Sequence, residues 1–380
     1  MNHIRLYLDH AATTPLSTSA REAMLPWLDC GNPSSLYEEG RKAKDAIDAS
    51  RESLSQALGC LFAEVVFTSS GTEAANLAVL GLAAANLDPR RNRVLIGAAE
   101  HHCVLHAEPL LQRLGYRVEM LPVDRYGRVQ TDALETNIGS DVLLVSVMHA
   151  NNELGSINDA ARISEITHRQ GAAFHCDAVQ SFLSLGSRTV GDLGADLVSV
   201  SAHKVNGPKG CGALYVRAGT RIKPLAVGGG QERELRAGTE NVAAIAGFGA
   251  AVAEHRAGVP DGRLAARQAF WETLVKDGLA RTVPEEIPTL PGHLHLRYPG
   301  IGAETLLIVL DRLGVSASSG AACSAGSVEP SHVLLACGYR LEEAREGLRF
   351  TFGKSTTEEE AVEAARRLNR AVAQVRSKRA

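Results

Sequence analysis

The sequence predicts an α/β protein with a mostly parallel sheet in a large domain and a smaller α+β domain at the C-terminal end. From about residue 60 to 217, short β-branched runs alternate with helical patterns. This alternation is typical of βα units that build a parallel sheet. The chain has 380 residues, which is more than one compact core usually holds. We therefore expect two domains around a cleft.

Six runs in this region are predicted to be strands: EVVFT (64–68), RVLIG (93–97), VLLVSVM (142–148), AAFHCDA (172–178), DLVSVSA (196–202) and CGALYV (211–216). Between them, the segments 72–86, 103–115 and 161–171 are predicted to be amphipathic helices, because their apolar residues recur with the spacing of one helix face. Functional side chains are expected at the strand ends, where the loops of such sheets form binding sites.

The pattern changes after residue 255, where HRAGVPDGR combines glycine, proline and charge as linkers and helix ends do. Beyond it we predict a helix in ETLLIVLDRLGV (304–315), a strand in GLRFTFG (347–353) and a final helix from Thr357. The apolar residues of the final helix share one face, namely Ala361, Ala364, Ala365, Leu368, Val372 and Val375. The predicted domains are 15–257, which is the large one, and 1–14 with 258–380, which is the small one.

The composition is that of an ordinary soluble protein. A hydrophobic fraction of 45%, a charged fraction of 22% and a net charge of −3 offer no basic surface for nucleic acid. No stretch reaches the roughly 18 apolar residues of a membrane span, and the first residues lack a signal-peptide core, so the cytoplasm is the expected compartment. Seven cysteines without a C-x-x-C pair suit neither a disulfide framework nor a zinc site. We expect no metal, and we expect most cysteines to be small buried hydrophobes.

Lys204 and Asp177 are the first residues that indicate a chemistry. Lys204 follows a β-rich run in the loop SAHKVNGPKG, and Asp177 ends the strand AAFHCDA, three residues before Gln180. A lone lysine in a loop is usually a solvated surface cation. An aspartate beside a lysine in a pocket is what pyridoxal 5′-phosphate requires, because the carboxylate keeps the pyridine nitrogen protonated and the lysine supplies the Schiff base.

A phosphate site is predicted where SSGTEAANL (69–77) joins a strand to a helix. Its backbone N–H groups and the Thr72 hydroxyl can hold a phosphate at the helix N-terminus, although a simple N-cap by Ser or Thr is the alternative. Ser201 and His203 beside the lysine loop offer further phosphate donors.

Two other strand ends carry polar side chains. His101 in AAEHHCVL could stack on a cofactor ring or move protons, and a hydrogen-bonded structural histidine is the alternative. Asn152 in MHANNELG could bind a ring hydroxyl or only stabilise a turn.

Cys323 and Arg349 are the candidates for contacts with the substrate. Cys323 lies in SASSGAACSAGSVEP, a run of small residues that is typical of a mobile loop and makes a thiolate available for attack on sulfur. Arg349 in GLRFTFG presents paired donors that match a substrate carboxylate. The alternative for Arg349 is a snorkelling or ion-paired surface side chain.

Nine segments, taken in order, resemble those of the cysteine desulfurases of the NifS and IscS type, a class V aminotransferase-like branch of the fold-type I pyridoxal-phosphate enzymes. The segments are YLDHAATTP (7–15), GNPSS (31–35), FTSSGTEAANLA (67–78), EHH (100–102), MHANNE (148–153), HCDAVQ (175–180), SAHKVNGPKG (201–210), GGGQERELRAGT (228–239) and SSGAACSAGSVEPSHVL (318–334). The resemblance implies a seven-stranded sheet in the large domain and a homodimer. It also implies conversion of L-cysteine to L-alanine, with sulfur held as a persulfide on Cys323 and then passed to an acceptor protein.

The resemblance also implies a role for each candidate residue. Lys204 would be the Schiff-base lysine, Asp177 would contact the pyridine nitrogen, and His101 would stack over the ring. Asn152 and Gln180 would lie near the ring hydroxyl. The phosphate would be held by Thr72, Ser201, His203 and, from the other subunit, Thr239. The substrate carboxylate would be held by Asn32 and Arg349.

Two departures from the family pattern and two competing functions accompany this interpretation. Ser70 stands where many members have glycine, and the C-terminal QVRSKRA is short beside relatives whose tail docks an iron–sulfur scaffold.

The protein could instead be a selenocysteine lyase or another class V aminotransferase with Cys323 incidental. It could also be a relay component whose main role is to dock an acceptor for iron–sulfur clusters, tRNA thiolation or DNA sulfur modification.

Overall fold

A seven-stranded sheet organises the computed structural model, which describes residues 5–186, 188–258, 260–320 and 329–377. The strands are β1 (Leu6–Tyr7), β2 (Val65–Thr68), β3 (Arg93–Gly97), β4 (Arg117–Leu121), β5 (Val142–Ser146), β6 (Ala173–Asp177), β7 (Leu197–Ser201), β8 (Gly212–Val216), β9 (Ala280–Arg281), β10 (His293–Arg297), β11 (Val315–Ser316) and β12 (Gly347–Thr351).

The helices are α1 (Thr18–Met24), α2 (Glu38–Leu58), α3 (Gly71–Ala85), α4 (His102–Leu105), α5 (Glu108–Arg113), α6 (Thr131–Asn137), α7 (Ala160–Arg169), α8 (Val190–Leu193), α9 (Val242–Arg256), α10 (Arg263–Thr273), α11 (Ala303–Arg312), α12 (His332–Ala336), α13 (Leu341–Ala344) and α14 (Glu358–Ser377). Short 3₁₀ turns lie at Leu25–Trp27, Phe62–Glu64, Ala202–Lys204 and Gln231–Glu234.

The large sheet has the strand order β2-β8-β7-β6-β5-β3-β4. Its pairs are parallel from β7 to β4, and only the pairs that β8 makes with β2 and β7 are antiparallel. The prediction of a mostly parallel sheet is therefore confirmed. All residues of β2, β7 and β8 are buried, as expected when helices cover both faces of a sheet. The strand β4, which residue patterns alone did not predict, completes the seven strands.

Two of the three predicted helices of this region differ from expectation. The helix α3 was predicted to be amphipathic, but it is apolar around most of its surface and is buried over most of its length because it packs against the centre of the sheet. The segment 103–115 was predicted to be one helix, yet it forms α4 and α5 instead. Pro109 lies in the first turn of α5. Proline suits a helix start but interrupts a helix interior, and this explains the break.

A second hydrophobic core lies apart from the large sheet. It joins Leu6 and Leu8 to residues between Ala266 and Val375, and it contains the three-stranded antiparallel sheet β12-β10-β9. The predicted apolar face of α14 is confirmed, since all six of its residues are buried. The boundaries at 15–257 and at 1–14 with 258–380 stay a prediction, which this separate core supports.

The cysteine and membrane expectations have mixed outcomes. Within the described ranges, no helix has the length and apolarity that crossing a bilayer requires. The six described cysteines are all free, but only Cys176, Cys211 and Cys337 are buried. The expectation that most cysteines are buried is thus wrong for half of the described ones, because Cys30, Cys60 and Cys103 lie in loops or at helix ends that leave their side chains partly exposed.

The topology brings the carboxyl ends of six strands to one edge of the large sheet. The strands β3, β4, β5, β6 and β7 run in parallel. The strand β2 has the same direction, because two successive antiparallel pairings link it to β7 through β8. Their carboxyl ends meet at this edge, where α/β sheets form binding sites.

Candidate active site

A cavity of about 360 Å³ opens at this edge of the sheet, between the large sheet and the second core. Nine of the predicted site residues line it, namely Thr72, His101, Asn152, Asp177, Gln180, Ser201, His203, Lys204 and Arg349. They come from six different strand ends and loops, which shows that the topology rather than sequence proximity gathers them.

Lys204 ends the short 3₁₀ turn that directly follows β7. Its Nζ donates hydrogen bonds to the carbonyl oxygens of Ala11 and Ala12, the latter at 2.9 Å. The side-chain amide of Gln180 donates to the same Ala11 carbonyl at 2.9 Å. The N-terminal segment therefore forms one wall of the cavity. The sequence analysis assigned no role to the Ala11 and Ala12 carbonyl oxygens, although they lie in YLDHAATTP, one of the nine segments that resemble the family.

Asp177 ends β6 and is 6% exposed. Its Oδ1 accepts a hydrogen bond from the Val179 N–H at 2.9 Å. Burial raises the pKa of Asp177 to about 6, although the Val179 bond and the charge of Lys204 oppose that increase. The Asp177 carboxyl group is thus costly to ionise unless a cation lies beside it. A protonated ring nitrogen would be such a cation.

Glu100 is a second buried carboxyl near Asp177, and the sequence interpretation did not single it out. It is 1% exposed, and its Oε1 accepts a hydrogen bond from the Met148 N–H. Burial, reinforced by the charge of Asp177, raises the pKa of Glu100 well above its ordinary value. The segment EHH could have drawn attention to Glu100, but nothing in the sequence shows that its side chain points inward.

The two cavity histidines are neutral at physiological pH. Burial, with the charge of Lys204, lowers the pKa of His101 to about 4, and burial with Lys204 and Lys209 does the same for His203. His101 caps α4, because its Nδ1 accepts a hydrogen bond from the Cys103 N–H at 3.2 Å. This bond assigns the ring proton of His101 to Nε2.

The N-terminus of α3 lies against the cavity through Ser70, Gly71 and Thr72. The Ser70 side chain accepts a hydrogen bond from the Glu73 N–H at 3.1 Å and so caps the helix. The serine in place of the family's glycine is therefore an N-cap that leaves the turn intact. At Gly71 an added Cβ would lie 2.7 Å from the Val179 side chain, so only glycine allows this close packing.

Arg349 lies on β12 and is 3% exposed. It donates hydrogen bonds to the Asn152 carbonyl oxygen at 2.9 Å and to Asp9 Oδ1 at 2.8 Å. These two contacts fix the plane of the guanidinium, while its buried Nε has no partner among the described residues. The alternative of a surface arginine is wrong, and the sequence interpretation missed Asp9 as its partner.

Comparison with known proteins assigns the chain to a family. The model of the family "Aminotransferase class-V" matches residues 6–364. The chain belongs to the aminotransferase class-V family. Two curated proteins named cysteine desulfurase IscS are similar to it at 42% identity. The Dictyoglomus turgidum protein aligns over 93% of this chain and 91% of its own length, and the Methanosarcina thermophila protein over 93% and 89%. A solved structure described as a NifS-like protein superposes with a TM-score of 0.89 at 32% identity, and the match covers 97% of this chain and all of that one.

Within the aminotransferase class-V family, the chain groups with the cysteine desulfurases of the NifS and IscS type. Enzymes of this family depend on pyridoxal 5′-phosphate, and the cavity fits that group. Asn152 Oδ1 and Ser201 Oγ are buried and lack a hydrogen-bond partner among the described residues. Since an unsatisfied buried polar atom costs free energy, these two atoms indicate that the cavity is built to hold a polar ligand.

Three predicted residues are not brought to this cavity by the structure. Cys323 lies outside the described residues, although Gly320, three positions before it, lines the cavity. Asn32 and Thr239 are exposed and do not line the cavity of their own chain. The Asn32 side chain accepts a hydrogen bond from the Ser34 N–H at 2.9 Å. The roles of all three residues therefore stay predictions, and that of Thr239 was predicted for the other subunit of a homodimer.

We expect Asp177→Asn to stabilise the protein without cofactor and to weaken cofactor binding. The pKa of Asp177 rises from 3.8 to about 6 on folding, so the folded chain holds the proton more tightly and loses stability as pH rises through this window. Two pKa units correspond to at most about 3 kcal/mol, and asparagine has no charge to bury. Urea unfolding between about pH 4 and pH 7 measures the difference. A less stable cofactor-free variant at neutral pH would contradict this account.

Proposed function

We propose that this protein removes the sulfur of L-cysteine, leaving L-alanine, and that Cys323 carries the sulfur as a persulfide. The observation that supports this most is the combination in one cavity of Lys204, Asp177, the flank of the Cys323 segment and two buried polar atoms that lack a hydrogen-bond partner among the described residues.

The cofactor would be held by residues from both sides of the cavity. Thr72, Ser201 and His203 are the proposed contacts of the phosphate, and Asn152 with Gln180 those of the ring hydroxyl. When bound, pyridoxal phosphate supplies an electron sink that stabilises negative charge at the substrate carbon. Asp177 would keep the ring nitrogen protonated, and a cation beside it would lower its raised pKa.

Lys204 is the proposed group that moves the substrate proton. Its Nζ lies within hydrogen-bond distance of two backbone carbonyl oxygens, so the amine is positioned at the cavity wall. As a free amine it would take the proton from the substrate Cα and return a proton during formation of alanine. His101, neutral with its proton on Nε2, would cover the ring and offer that N–H to the substrate.

Arg349 is the proposed anchor for the substrate carboxylate. Its guanidinium is held in one plane by Asp9 and Asn152. Its Nε, which has no partner among the described residues, is one of the N–H donors that remain for a carboxylate. The Cys323 thiolate would then attack the substrate sulfur. A new S–S bond forms while the substrate Cβ–S bond breaks. The electron pair of the broken bond stays with the carbon skeleton, which takes up a proton at Cβ and leaves as alanine.

The assembly, the compartment and the acceptor belong to the same proposal. We propose a homodimer in which Thr239, which is exposed on its own chain, reaches the phosphate of the partner's site. Asn32 is proposed to hold the substrate carboxylate together with Arg349. The free thiols of the described cysteines support a reducing compartment such as the cytoplasm. The persulfide is passed to an acceptor protein, for which iron–sulfur assembly, tRNA thiolation and DNA sulfur modification are the candidate pathways.

The decisive experiment is to add L-cysteine to the purified holoenzyme and to measure its visible spectrum, alanine and sulfide together. We expect the cofactor band to shift and alanine and sulfide to form in equal amounts in the presence of a thiol reductant. Selenocysteine is assayed in parallel. Turnover of selenocysteine without turnover of cysteine would favour the lyase alternative, and a protein that binds no cofactor would refute the proposal.

A further inference from the structure

Glu153 is a buried carboxyl that the proposed reaction does not use. It is 1% exposed and directly follows Asn152 in the turn after β5. Asn151 Oδ1 fixes this turn by accepting hydrogen bonds from the Glu153 and Leu154 N–H groups, both at 2.9 Å. Burial raises the pKa of Glu153. A buried acid is costly and is retained only where its contacts are useful.

One oxygen of Glu153 contacts both ends of the segment that carries Cys323. Glu153 Oε2 accepts a hydrogen bond from Ser331 Oγ at 2.5 Å. An added Cβ at Gly320 would lie 2.6 Å from the same oxygen, and Gly320 has a φ of +85°. The last described residue before the segment and the third described residue after it therefore lie against a single carboxyl group.

The chain beyond Ser331 is also fixed to the large domain. Ser331 Oγ caps α12 by accepting a hydrogen bond from the Leu334 N–H at 3.0 Å. The His332 ring donates from Nε2 to the Glu100 carbonyl oxygen at 2.9 Å. Val333 and Leu334 belong to the core of the large sheet. This flank is thus anchored to the same elements that form the cavity.

The chain before Gly320 is joined to the substrate side of the cavity. The Gly320 N–H donates to Ser318 Oγ at 3.1 Å, and Ser318 pairs with Arg349 through two backbone hydrogen bonds. Ser318 therefore joins Gly320, which packs against Glu153, to the strand of Arg349.

Chain length makes the Gly320 flank the more important one. Three residues span at most about 10 Å when extended, whereas eight residues from Ser331 span about 27 Å. Since Gly320 itself lines the cavity with Lys204, the position of Gly320 sets the centre of the volume that the Cys323 sulfur can reach. A shift of about 1 Å at such a point is enough to slow a reaction that depends on alignment.

We propose that Glu153 is a positioning residue for sulfur transfer: it accepts a hydrogen bond from Ser331 and packs against Gly320, so that both flanks of the segment keep the positions from which Cys323 reaches the substrate sulfur. The inference rests on the proposed role of Cys323 as the sulfur carrier. According to this proposal, changes at Glu153 or Ser331 slow the transfer of sulfur to Cys323. The earlier steps, substrate binding and proton transfer, depend on other residues.

The test uses the holoenzyme of two variants, Glu153→Asp, which withdraws the carboxyl by one methylene, and Ser331→Ala, which removes the hydroxyl. We expect the spectral response to L-cysteine and KM to stay within about twofold, and single-turnover persulfide formation on Cys323 to slow at least about tenfold. Ser331→Thr keeps a hydroxyl and should recover most of the rate. Thr189→Ala, which removes the N-cap of α8 away from the site, controls for the loss of a helix cap and should change neither step.

The outcomes separate this inference from the proposed function. Normal persulfide formation in both variants, or an equal loss in the spectral response and in transfer, would overturn the role of Glu153. If Ser331→Ala fails to fold, the comparison of Glu153→Asp with wild type decides in the same way. Failure of the proposed function would appear instead as full sulfur transfer in Cys323→Ser, which neither Glu153→Asp nor Ser331→Ala can produce.

Discussion

Replacing Cys323 by serine is expected to abolish sulfur transfer from L-cysteine, with a loss of at least about a thousandfold in alanine formation. A serine hydroxyl is not ionised at neutral pH and cannot hold sulfur as a persulfide, whereas a cysteine thiolate is both nucleophile and carrier. The cavity residues do not change, so the cofactor band and its shift on adding L-cysteine should remain. The measurement is alanine and sulfide formation together with the visible spectrum.

The matched control is Cys60→Ser. Cys60 is half-buried, and burial with the charge of Glu64 raises the pKa of its thiol to about 12, so it supplies almost no thiolate at neutral pH. We expect this variant to retain wild-type turnover. Unchanged turnover in Cys323→Ser would show that Cys323 does not take part in the reaction. Cys103, which also lines the cavity, would then be the next thiol to replace.

Lys204→Ala is expected to lower the rate of alanine formation from L-cysteine at least about a thousandfold. The reason is that it removes the group that bonds the cofactor and moves the substrate proton. Its effect differs from that of Cys323→Ser, because the absorbance of the bound cofactor and its response to substrate should change as well. Lys209→Ala is the matched control, since Lys209 is an exposed lysine in the same loop. Equal activity of Lys204→Ala and wild type would refute the assignment of Lys204.

Mixing variants tests the proposed contribution of Thr239 across a dimer. A heterodimer of Lys204→Ala with Thr239→Ala has one site in which both residues are intact, provided that Thr239 serves the partner's site. We expect each heterodimer, which has one intact site of two, to recover about half of the wild-type activity, although each homodimer is impaired. If Thr239 served its own chain, no site of the heterodimer would be intact and no recovery would occur.

The sequence predicted the sheet and most of the cavity because both depend on local patterns. Alternating apolar runs and helical periodicity predicted six of the strands, and the strand ends carried the residues that the structure gathers, such as Asp177, His101 and Lys204. Pro109 favours a helix start, but the helical periodicity of 103–115 hid the break before it. The strand β4 was missed because only one of its five residues is fully buried, so its pattern is weak.

Long-range contacts were beyond the reach of sequence patterns. The pairing of Asp9 with Arg349 joins residues 340 positions apart, and Glu100 and Glu153 look like ordinary polar residues until burial is known. Their raised pKa values come from desolvation, which depends on every element packed around them.

The sequence alone therefore determined the fold class, the family and the chemical groups available for the reaction, because periodicity and motif order are written in local residue choice. Only the tertiary structure decided which groups face one cavity, which of them are neutral, and that one oxygen of Glu153 contacts both flanks of the Cys323 segment. The physical reason is that distance and desolvation arise from packing between elements distant in the chain, and no local pattern encodes them.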